Sequence, residues 1–234
     1  WSNNKTSITK VVFSEGVTKV GASSFYDCKY LKEVTLPNTI TTIGTGAFQF
    51  CSSLESINIP SSLEPVTGAT FSGCSKLSSI RLPDNQASIS SECFRFCTEL
   101  KSIYIPASVT SIAERAFEGC NNLSEIILAE GNKNYSTSDD GRLLYNKEKT
   151  KLVFAGSITG DYTIDANVTE ILGYAFYKLE PLVYLMSNES SLAIISPDGI
   201  TNGEILIDII PHDELGSLIT TNYICIKHDL TIRQ

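Results

Sequence analysis

Leu31-Lys32-Glu33-Val34-Thr35-Leu36-Pro37-Asn38-Thr39-Ile40-Thr41-Thr42-Ile43-Gly44-Thr45-Gly46-Ala47-Phe48-Gln49-Phe50-Cys51 carries two successive patterns that neither one helix nor one long strand accommodates. Val34 and Leu36 alternate with polar neighbours, the period-2 sign of a strand with one buried face, and Pro37 ends that strand by fixing φ and removing a donor. Ile40 and Ile43 then point inward along an irregular return. Ala47, Phe48 and Cys51 follow, placing a small residue, a ring and a thiol in the interior on a helical turn or tight bend. So short a strand is not stable alone and needs neighbours on both sides.

Those neighbours are further copies of the same stretch. Cys28, Cys51, Cys74, Cys97 and Cys120 lie 23 residues apart, and each follows a phenylalanine by three positions: Phe25, Phe48, Phe71, Phe94 and Phe117. Copies starting at Leu54, Leu77 and Leu100 match nearly slot for slot, a degenerate copy starts at Ile8, and Pro37, Pro60, Pro83 and Pro106 share the proline slot. Self-similarity at such a period predicts a solenoid, in which each unit buries its apolar face only by stacking on its copies.

After Leu123, Ile126 and Leu128 the pattern breaks, resuming at Ile164 with Ala175-Phe176 and with Leu179 in the cysteine slot. Cys120 and Leu179 are 59 residues apart, 36 beyond one period of 23. Two apolar runs in the excess, Leu143-Leu144-Tyr145 and Leu152-Val153-Phe154, predict a β-hairpin island at about 129–161 projecting from the stack. Past residue 186 the register phenylalanines and cysteines cease, and strand-like runs alternate with Pro197-Asp198-Gly199 and Asn202-Gly203. The expected organisation is a solenoid over 1–186 and a β-rich C-terminal cap over 187–234 that covers its open end.

Composition narrows the function classes. The 234 residues are 42% hydrophobic with a formal charge of −8, enough apolar content to exclude global disorder. No run approaches the roughly 20 apolar residues that span a bilayer, so membrane insertion of this segment is not expected. With 26 carboxylates against 18 Lys and Arg and no basic stripe, nucleic acid is not an expected partner. Ser and Thr account for 50 residues, which suits short strands and turns.

Ile43-Gly44-Thr45-Gly46-Ala47-Phe48, set between a strand ending in proline and a closing cysteine, resembles the repeat of the BspA-like leucine-rich-repeat surface proteins. The resemblance covers about residues 8–186. Within the insertion, Asn134-Tyr135, Asp140-Gly141 and Leu144-Tyr145-Asn146-Lys147 are similar to inserts of that family. The resemblance implies an α/β fold class: a right-handed leucine-rich-repeat solenoid with a parallel β-sheet on its concave face, short strands and turns, and little helix. It also implies a secreted or cell-surface protein used for adhesion, whose partner is a protein or glycan on a host or neighbouring cell surface.

The register cysteines read as buried free thiols rather than bridges, because in-register neighbours about 4.8 Å apart are too far for the roughly 3.5–4.5 Å that disulfide Cβ atoms need. Cys93 fills the alanine slot of its own copy and would meet Cys97 only if that turn were helical. No catalytic motif appears, and no cofactor or metal is expected; Asp139 and Asp140 read as a solvated acidic loop rather than a calcium site. His212-Asp213-Glu214-Leu215 is internal and is not a retrieval signal. Asn4, Asn122, Asn134, Asn167 and Asn188 stand in Asn-x-Ser/Thr sequons.

A ligand-binding surface is expected on the solvent side of the strands. One residue per strand points outward there, giving the row Val12, Thr35, Asn58, Arg81, Tyr104 and Ile127, beside a second row of Lys10, Glu33, Ser56, Ser79, Ser102 and Glu125. Arg and Tyr commonly anchor interfaces, so Thr35, Asn58, Arg81, Tyr104 and Ile127 are the candidate binding residues. These are also ordinary solvent-facing strand residues, and a structural spacer or scaffold within a larger surface protein is the alternative reading.

Overall fold

The computed structural model describes residues 7–157 and 162–176, together with short strands between Leu185 and Ile232. The first ten strands are β1 (Lys10–Val12), β2 (Lys19–Val20), β3 (Glu33–Thr35), β4 (Thr42–Ile43), β5 (Ser56–Ile57), β6 (Ser79–Arg81), β7 (Ser88–Ile89), β8 (Ser102–Ile105), β9 (Ser111–Ile112) and β10 (Glu125–Leu128). They stack as a parallel β-solenoid of about seven turns. On one side β1, β3 and β5 pair, as do β6, β8 and β10, each residue facing its counterpart 23 positions away, as in Glu33 with Ser56 and Ser79 with Ser102. A second side is built from β2 with β4 and β7 with β9.

The third side is a run of turns, and no helix occurs among the described residues. Ala47, Gln49 and Cys51 each donate their N–H to the carbonyl three residues earlier, while Gly46 (φ 64°) and Phe50 (φ 61°) sit in the left-handed region and stop the turns from propagating as a helix. The bend therefore closes without helical geometry. Cys93 and Cys97, held in such a turn, are both free thiols.

Identical side chains form columns inside. Leu31, Leu54, Leu77, Leu100 and Leu123 are fully buried. Phe25, Phe48, Phe71, Phe94 and Phe117 stack nearly parallel with centroids 5.4–6.1 Å apart, and Phe13 closes the first end edge-on at 5.9 Å. Rungs are further joined by the phenylalanine amides, as in Phe25 N–H to Ala47 C=O at 2.8 Å. On the flank of the turns, the rings of Phe50 and Phe96 lie against Gly73 and Gly119; a Cβ on either glycine would overlap the ring.

Two rungs depart from the repeat. In the third, Pro65 replaces the residue that begins β4, β7 and β9; without an N–H it cannot join that ladder, and no strand forms. In the fourth, Gln86 occupies the apolar slot of Ile40, Leu63 and Val109, yet is 1% exposed. Its Oε1 accepts the Val66 N–H and its Nε2 donates to the Val66 C=O, both at 2.8 Å, supplying the pairing that the backbone cannot.

The inserted segment does not project as an island. β11 (Tyr135–Thr137), β12 (Leu143–Asn146) and β13 (Lys151–Ala155) form an antiparallel set, and β13 then pairs in parallel with β15 (Glu170–Ile171), after β14 (Tyr162–Thr163). Leu143, Leu144 and Leu152 are fully buried, and Phe154 packs on Phe117 with centroids 5.3 Å apart. A hairpin with this much apolar surface gains by joining the stack, so it widens the second side by two strands. The C-terminal cap expected at 187–234 lies outside the described residues apart from its short strands.

Candidate functional site

Strand pairing brings Arg81, Tyr104 and Ile127 together on the solvent face, because they are register partners on β6, β8 and β10. The Arg81 guanidinium carbon lies 3.9 Å from the centroid of the Tyr104 ring, and Nη2 donates to Asp84 Oδ1 at 3.0 Å. Held by ring and carboxylate, the cation is pre-positioned while its remaining N–H groups face solvent. Ile127 is 42% exposed beyond Tyr104, an apolar contact next to an aromatic one.

Thr35 and Asn58 stand apart from this trio. Thr35 pairs with Val12 in the first strand group. The Asn58 side chain is already engaged: its Oδ1 accepts the Leu36 N–H at 2.7 Å and its Nδ2 donates to the Leu36 C=O at 2.8 Å. Asp84, which the row analysis missed, follows Pro83 at the i+3 position from Arg81, a spacing visible in the sequence.

The buried chemistry is structural. Cys51, Cys74, Cys97 and Cys120 each donate Sγ–H to the carbonyl of Phe25, Phe48, Phe71 and Phe94, one rung back, at 3.0–3.2 Å. Burial pushes the Cys93 thiol up to about 12 and raises Cys74, Cys97 and Cys120 as well, which keeps them protonated and poorly nucleophilic. Among the described residues no cluster of His, Cys, Asp and Glu could hold a metal ion. The sequon amides of Asn122 and Asn134 donate to the Thr98 and Val109 carbonyls, and that of Asn167 to Asp165.

A charge network on the turn side also went unread. Glu92 and Arg95 recur one period later as Arg115 and Glu118 with the signs exchanged. The swap lets Arg95 meet Glu118 at 2.9 Å and Arg115 meet Glu92 at 3.2 Å, while Arg115 Nε bonds the buried Glu118 carboxylate at 2.7 Å. Opposite charges 23 residues apart are the signal that would have found it.

The BspA type leucine rich repeat region model matches residues 2–137 in six copies, which is the register described above. The chain belongs to the BspA type leucine-rich-repeat family. Among solved structures, a leucine-rich repeat protein from Eubacterium ventriosum is 29% identical with a TM-score of 0.63, over 76% of this chain and 47% of that one. A leucine rich cell surface protein from Faecalibacterium prausnitzii is 28% identical with a TM-score of 0.57, over 76% of this chain and 54% of that one. This chain thus spans about half the length of each. No curated protein matches it. No helix among the described residues is long and apolar enough to cross a membrane.

Proposed function

We propose that this BspA-type solenoid is a non-catalytic binding module of the cell surface or extracellular space, which recognises a protein or glycan on a host or neighbouring cell through the solvent face of its strands. The observation that carries the reading is the Arg81–Tyr104–Ile127 row, where a fixed cation, a ring and an exposed aliphatic group share one rigid sheet. The surface location draws on the name of the Faecalibacterium relative, a cell surface protein. Fold alone does not assign a ligand, so the test is at the site.

In a pull-down from cell-surface and matrix extracts, the double variant Arg81→Ala/Tyr104→Ala is expected to lose at least tenfold in affinity for the captured partner while keeping its thermal midpoint. Undiminished capture by the variant would overturn the reading and favour a spacer role.

A further inference from the structure

We propose that the junction between the third and fourth rungs is a hinge built into the solenoid. On the first side, no backbone hydrogen bond joins residues 55–59 to residues 78–82, and β5 and β6 belong to separate sheets. The flanking junctions are bonded at the equivalent place, Glu55 N–H to Lys32 C=O and Lys101 N–H to Ser78 C=O, both at 2.9 Å. On the second side, Pro65 removes the strand, and the Gln86 amide is what links Val66 to the next rung. The turn side alone is complete: Phe71 N–H reaches Cys93 C=O at 3.1 Å, Cys97 Sγ reaches Phe71 C=O at 3.1 Å, and Phe71 stacks on Phe94 at 5.8 Å.

A three-sided stack that is fully bonded along one edge, held by a single side-chain amide on the second side and unbonded on the first can rotate about the bonded edge. The local sequence causes this. Asn58 is a poor strand residue whose amide substitutes for backbone at Leu36, ending β5 after two residues, and Pro65 keeps its segment from forming a second-side strand, leaving Val66 to pair through a side chain. The axis crosses the stack on the turn side, through the Phe71–Phe94 contact and perpendicular to the phenylalanine column, and rotation opens or closes the strand side between Asn58 and Arg81. Thr35 and the Arg81–Tyr104–Ile127 trio therefore ride on different blocks. This mobility does not depend on what the face binds.

The experiment uses the full chain carrying Lys10→Cys and Glu125→Cys spin labels, about five rungs or 24 Å apart on the strand side. Cys225 is replaced by serine in every variant, and the six described native thiols are buried and stay unlabelled in the folded protein. Double electron–electron resonance is expected to give a distance distribution at least twice as broad as in the same chain with Asn58→Thr and Pro65→Ser, which restore strand residues at both breaks. Equal widths would overturn the hinge. Should the repaired chain not fold, amide exchange in the native sequence decides: Val66 is expected to exchange at least tenfold faster than Ile89, its counterpart one rung on, whose N–H faces β9, and equal protection would overturn the proposal.

Discussion

Gln86 shows how one side chain can obey the solenoid while breaking its pattern. By sequence it is a flaw in a column of Ile40, Leu63 and Val109; by structure it is the group that satisfies both polar atoms of Val66. Gln86→Leu, which matches the volume and the consensus, is therefore expected to destabilise by about 2–6 kcal/mol, since two buried backbone groups lose partners at about 1–3 kcal/mol each. Urea unfolding of the variant checks this, and a gain in stability would show that apolar matching dominates. The repeat made the columns of Phe and Cys legible because those slots are set by period alone. It hid Gln86 and Asn58 because their partners are fixed by where Pro65 and a shortened strand leave backbone groups open.

At the level of elements, the insertion is where the reading from periodicity fell short. The apolar runs Leu143–Tyr145 and Leu152–Phe154 identify strands, but not whether they face solvent or Phe117, which depends on long-range packing. With Phe154 closing the aromatic column, Phe154→Ala is expected to cost about 3–5 kcal/mol, the range for emptying a packed aromatic site. A loss under about 0.5 kcal/mol in chemical denaturation would fit a projecting island instead. The site was partly legible for the same reason: strand alternation put Arg81, Tyr104 and Ile127 in one row, whereas the break that separates them from Thr35 comes from two residues outside the pattern.

At the scale of the molecule, the buried thiols make stability depend on alkali. Cys93 has its pKa raised from the ordinary 9.0 to about 12, and Cys74, Cys97 and Cys120 shift the same way. Below pH 9 folded and unfolded thiols are both protonated and the stability is fully present. Above it the unfolded chain ionises first, so stability falls as pH rises from 9 toward 12. The urea midpoint is expected to be lower at pH 10.5 than at pH 8, and an unchanged midpoint would mean the thiols are not sequestered. The seating of the Phe50 and Phe96 rings on Gly73 and Gly119 bears on how such genes change length. Losing one 23-residue copy from between them would set Phe96 directly on Phe50, where its Cβ has no room. Losing two would seat Phe50 on Gly119 unharmed. Losing the Phe96 copy alone would set Gly119 on Gly73, again without a clash, so on this flank it is the Gly73 copy whose single loss is barred.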